Sequence, residues 1–426
     1  MHTRTLSWSQ LIASGASLLL LAVMIGGCSS TPQGPAPTKA PESFSFWPQA
    51  PDSPRVQFVK PFRSSNDVRV ERQSDLARIV FGEENEQDAE IKKPYGVAMH
   101  KGRIYVCDIR RPSLTVLDLV ENQVRLVGVR GVNRLTHPVD VAVADDGWIY
   151  VADNERNAVL VYSPDERYKR TIGRKGMKPV SVAVHGQRLY VCDLTAQQIE
   201  IFDRETGDSI SKFGGVGDAD GQFRVPINVE TDNQGNVYVS DMMRARMQKF
   251  TPDGEYIDGF GELGDYAGSF ARPKQLAVDS EGIIYVVDAA FQNVQMFNNE
   301  FELLMSFGAA GSFPGAMNLP AGICVTDEGL DLFQDLVHPG FEIRRLIAVT
   351  NQFGASKVGI YALGTIREGW TIEQIHASSP DISDGVGPNE GVTPLMSIDE
   401  SEPAPGPESP PLPADKDDPE GGNGVG

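Results

Sequence analysis

Residues 138–162 read PVDVAVADDGWIYVADNERNAVLVY. Pro138 opens a short apolar segment, Asp146-Gly147 supplies a turn, Tyr150-Val151-Ala152-Asp153 follows, and Val159–Tyr162 is a third apolar run. Short β-branched and aromatic runs bounded by turn residues read as antiparallel strands. The unit recurs. Tyr105-Val106-Cys107-Asp108, Tyr190-Val191-Cys192-Asp193, Tyr238-Val239-Ser240-Asp241 and Tyr285-Val286-Val287-Asp288 match it, and the successive Asp positions lie 45, 40, 48 and 47 residues apart. A degenerate sixth copy, Ile347-Ala348-Val349-Thr350, ends 62 residues after Asp288. An apolar strand opened by Pro94, Pro138, Pro179, Pro226, Pro273 or Pro320 precedes each copy, and fourth strands end in Lys212-Phe213-Gly214, Gly259-Phe260-Gly261 and Ser306-Phe307-Gly308.

One such unit cannot bury both faces of its sheet, so the units must stack on one another. Four short antiparallel strands per ~45 residues, arranged radially, make a β-propeller. The pattern resembles the NHL repeat over roughly residues 55–365. The resemblance implies an all-β, six-bladed propeller, and says little about chemistry. The last blade shows only three strands before the chain leaves through Trp370. Arg55–Val59 alternates suitably and is expected to supply the fourth, removing a free edge. Ser74–Phe81 is expected to form a short helix. The propeller is thus placed at residues 55–368.

The flanks read differently. The chain has 426 residues, a net charge of −20, 43 Gly and 29 Pro. Such acidity argues against nucleic acid as a partner, and an apolar fraction of 40% excludes a polytopic membrane protein. Residues 371–426 hold twelve acids, one base (Lys416) and ten prolines, so 369–426 is expected to be a disordered acidic tail. Residues 1–27 have an early Arg4 and the apolar run Leu18–Ile25, the layout of a signal peptide. Ile25-Gly26-Gly27-Cys28 resembles a bacterial lipobox, which implies lipid attachment at Cys28 and an exported, membrane-anchored protein. Ser29 after the Cys resembles outer-membrane sorting in Gram-negative lipoproteins. Several acyl chains would hold the membrane stably where one would not. A Pro-rich flexible spacer is expected over 28–54.

Candidate sites are few. The repeated Asp residues end second strands, where carboxylates accept backbone N–H bonds at the next turn. Cys107, Cys192 and Cys324 read as buried free thiols, and Met242, Met243 and Met247 as core. Gly259–Gly264 fits a dinucleotide pattern literally but opens no βαβ helix, and Asp218–Gly221 lacks further calcium ligands. Ahead of the first-strand prolines stand Lys93, His137, Lys178, Val225, Arg272 and Leu319. One His cannot hold zinc, so no metal and no cofactor are expected. Gluconolactonase-like propellers use a Glu, Asn and Asp set; Asn228 and Asp140 are suitably placed, but no partnering Glu is evident. A metal-dependent hydrolase or lyase of that kind is the alternative reading. The preferred one is a binding or assembly module in the bacterial envelope. Lys93, His137, Lys178 and Arg272 would ring one channel mouth and receive an anionic ligand or another envelope protein. The long sixth step maps onto Glu328–Arg344, whose apolar residues include Phe333 and Phe341. That insert either contacts a partner protein or pads the seam of the ring.

Overall fold

The computed structural model describes residues 44–68 and 90–378. Five sheets have four antiparallel strands each and a sixth has five. Blade 1 consists of Pro94–His100, Arg103–Asp108, Ser113–Asp118 and Gln123–Val127. Blades 2 to 5 occupy residues 138–172, 179–214, 226–260 and 273–307. The first strand of each blade packs against the first strands of its neighbours, and blade 6 packs against blade 1. The chain therefore folds as a closed six-bladed propeller.

Closure is achieved as the alternation of residues 55–59 suggested. Blade 6 contains Pro320–Thr326, Phe341–Asn351 and Val358–Ile366, and Val56–Phe62 pairs with the last of these as the fourth strand. The boundaries extend further than expected. Phe46–Trp47 adds a fifth strand outside Val56–Phe62, with Phe46 opposite Gln57 and Trp47 opposite Val56. Phe44, Phe46 and Trp47 are buried, so residues 44–54, expected within the flexible spacer, belong to the fold instead. At the other terminus, Ile372–His376 forms a short helix capped by Thr371, with Ile375 fully buried. The Phe44 N–H donates to the Ser378 carbonyl, 3.2 Å away, so the two ends of the described fold leave side by side at the outer edge of blade 6. Residues 369–378 are thus part of the fold rather than of the expected tail, and residues 379–426 lie outside the described residues. Cys28, the signal peptide and the Ser74–Phe81 helix lie outside the described residues.

The long insert also resolves. Phe333 (3% exposed) and Phe341 (0%) belong to the apolar cluster that joins blade 6, blade 1 and Phe44 and Phe46. The His338 N–H donates to the Gln57 side chain (3.1 Å), and the His338 ring packs edge-on against Phe44, Phe46 and Trp370. The insert pads the seam, which withdraws Phe333 and Phe341 as partner-contacting residues. Met247 is buried as expected, but Met243 is 67% exposed and is not core.

Phe46 joins the N-terminal strand, the insert and the terminal helix through its contacts with Phe341, His338 and His376. Phe46→Ala should therefore lower stability by about 3–5 kcal/mol, as for other buried Phe truncations. Chemical denaturation measures this; a cost below about 1 kcal/mol would mean that Phe44–Trp47 merely rests on the ring.

Candidate functional site

The repeated Asp residues act as hooks. Asp108 accepts N–H bonds from Lys92 and Lys93 before the first strand, and from Arg110 and Arg111 after the second. Asp153, Asp193, Asp241 and Asp288 repeat this with His137, Lys178, Val225 and Arg272. All five are at most 1% exposed. In blade 6 the equivalent is Asn351, which accepts from the Asn318 N–H (3.0 Å) and pairs with Pro320. The sixth copy is thus one residue out of the expected register, and Thr350 does something else.

The residue two beyond each first-strand proline crowds the axis: Gly96, Asp140, Ser181, Asn228, Gln275 and Gly322. Asp140 Oδ2 accepts the Ser181 hydroxyl (2.6 Å) and the Val182 N–H (3.1 Å), while Oδ1 accepts the Gln275 amide (2.7 Å). Blades 2 and 5 oppose each other in a ring of six, so the last bond spans the axis. Asn228 donates to Ser181 Oγ and accepts from the Leu276 N–H. Across the gap in this girdle, Thr350 Oγ1 accepts the Gly322 N–H and donates to the Tyr95 carbonyl. A Cβ on Gly96 would stand 2.4 Å from Asp140 Oδ1, and one on Gly322 2.1 Å from the Tyr95 oxygen, so both positions require Gly. Burial pushes the Asp140 carboxyl up to about 6 against the pull of these hydrogen bonds.

Two residues on, the six blades place Ala98, Ala142, Ala183, Glu230, Ala277 and Cys324. Glu230 is the Glu that sequence reading did not find beside Asn228 and Asp140. The signal was present: it is the one acid at a position otherwise held by Ala or Cys. Glu230 is largely buried in the first strand of blade 4, close enough to Asp140 and Cys324 for their charges to interact. Burial raises its carboxyl to about 8, opposed by the Thr231 N–H. Asp140 and Asn228, however, have their polar atoms committed to the girdle and offer no free ligand set. Among the described residues, no three His, Cys, Asp or Glu side chains gather as a metal site.

The two ends of the axis differ in charge. At the proline end, the loops joining second to third strands and one blade to the next hold fifteen Lys and Arg against seven Asp and Glu among the described residues. The hairpin loops at the opposite end hold eighteen acids against three bases. A cavity of about 280 Å³ opens there, lined by Asp145, Asp279, Asp327, Glu328, His100 and Arg345 among others. Arg345 is held by Asp279 (3.1 Å) and Glu281 (3.0 Å).

Lys93, His137, Lys178 and Arg272 all stand at the proline end, fixed by their hook bonds. Lys178 and Arg272 are exposed, while Lys93 is half-buried with its Nζ 5.7 Å from the Phe353 ring. His137 Nδ1 lies 3.9 Å from the Glu155 carboxylate. Lys274, unmarked in the sequence, joins them: its Nζ stands 5.9 Å from the ring of Tyr95, on a blade that is not its neighbour. Burial, then the Arg272 charge, lowers the Lys274 ammonium to about 8. The same end exposes Val132, Val216, Met243, Leu263 and Phe353.

Residues 135–162 match the NHL repeat family model. The chain is a six-bladed β-propeller of NHL type. Among solved structures, this NHL-type propeller is similar to a protein of unknown function from Bacteroides thetaiotaomicron. The TM-score is 0.51 at 19% identity, covering 72% of this chain and 75% of that one. A streptogramin B lyase gives a TM-score of 0.46 at 12% identity, over 64% and 94%. A nidogen/laminin complex gives 0.44 at 14%, over 59% and 92%. At these identities the likeness is one of fold alone.

Glu230 gives the propeller a pH dependence of known sign. The unfolded chain releases this proton near 4.5, whereas the folded chain holds it to about 8. Stability is therefore lost as pH rises from about 4.5 to 8, then levels off. Glu230→Ala, matching four of the other blades, should melt higher than the parent at pH 9 and equally at pH 4. Parallel pH profiles of the two proteins would contradict the burial of that carboxyl.

Proposed function

We propose that this propeller is a lipid-anchored, exported binding module that receives an acidic polypeptide on the proline end of its axis. The observation that carries this reading is the charge division: on a chain of net −20, the described loops at one end of the axis are cationic and also expose apolar tips. Lys178, Arg272 and Lys274 would attract and orient carboxylates, while Val216, Met243 and Leu263 would bury against apolar residues of the partner. Rigid hooks hold these loops in place, so little ordering cost accompanies binding. The anchoring half rests on the lipobox-like Ile25–Cys28. Tethering at Cys28 would concentrate the module at a membrane surface.

The lipobox is tested by Cys28→Ala: precursor of unprocessed size that is no longer lipid-labelled supports it, and unchanged lipid labelling rejects it. The face is tested with poly-glutamate as probe. Lys178→Glu/Arg272→Glu should weaken binding at least tenfold at low salt without changing the melting temperature. Binding should also fall as pH rises through about 8, where Lys274 loses its proton, and Lys274→Met should remove that step. Equal affinity for the parent and the double variant would refute the face.

A further inference from the structure

We propose that the cationic end is covered by the chain's own acidic C-terminal segment, residues 379–426, which an outside partner must displace. The inference rests on the proposed binding face and names its resident competitor. Three observations carry it. First, residues 379–426 contain eleven acids and one base, the complement of an end whose described loops hold fifteen bases and seven acids. Within them Leu395, Met396 and Ile398 stand directly before Asp399, Glu400 and Glu402, matching a surface whose loops carry exposed Val216, Met243 and Leu263 together with Arg224, Arg244 and Arg272.

Second, the segment starts within reach. It continues from Ser378, held by Phe44 at the outer edge of blade 6, and 48 residues follow. A flexible chain of that length spans roughly 40 Å root-mean-square, against a radius of gyration of about 20 Å for a domain of this size. The tether can therefore deliver acids over the whole proline end, at an effective concentration in the millimolar range. Third, the opposite end repels it, with eighteen acids in its loops. Among the described residues, an anionic segment on this tether has one attractive destination, the proline end.

Zero-length carbodiimide coupling of the full chain, joining carboxylates to lysines, tests this. At low salt, tail acids between Asp381 and Glu420 should couple within one molecule to Lys93, Lys175, Lys178 or Lys357, and not to Lys101 at the other end. Half-molar salt should reduce that coupling several-fold. Changing the eleven acids to Asn and Gln in the full chain should tighten poly-glutamate binding at least tenfold. Absence of such couplings, or couplings found only between molecules, overturns the inference. If poly-glutamate still binds the neutralised chain at the proline end, the face survives and only its self-occupation falls. If it binds neither form, both fail.

Discussion

Everything in this molecule depends on closing the ring. A blade is apolar on both faces, and each face is covered only by the next blade. The first and last blades would each leave one face bare unless they meet. The meeting is secured by a strand from the far N-terminal side: Val56–Phe62 pairs with Val358–Leu363, so the two ends of the propeller share one sheet. The seam is reinforced twice. Trp47, Phe58 and Tyr361 pack with Phe307 of blade 5 on one of its faces. Phe44, Phe46, Phe333 and Phe341 fill its other side. Blade 6 is longer and more elaborate than the others because it alone must join residues separated by three hundred positions.

Closure also creates the axis and its problems. Six first strands converge until two positions accept only Gly and the other four carry polar side chains that bond to one another. The Asp140–Gln275 bond crosses the axis, and Thr350 ties blade 6 back to Tyr95. The waist is thus structural, whereas the two ends are free to diverge, and they have: one strongly acidic, the other cationic with exposed apolar tips. Glu230 is the exception, a carboxyl kept where Ala would be more stable.

The blades were legible because their signal is local and repeated. Tyr-Val-x-Asp fixes the second strand and its hook, and the preceding proline fixes the first. What was hidden is non-local. Nothing near Phe46 in the sequence announces that its partners are Phe341 and His376. The insert's apolar residues read equally as surface or seam until the Gln57–His338 bond, 281 residues apart, decides between them. Asn351 escaped because Asn can replace Asp as a hook, which displaced the sixth copy by one residue. Glu230 and Lys274 escaped because each breaks a pattern visible only when six first strands are laid in register.

Native-state hydrogen exchange of the backbone amides of Val56–Phe62 measures ring closure directly. If this strand closes the ring, its paired amides exchange only through global unfolding, at the same rate as the core strands of blade 3. Exchange at least a hundredfold faster than blade 3 would show that Val56–Phe62 detaches while the blades stay folded, and would contradict closure as the constraint on which the fold depends.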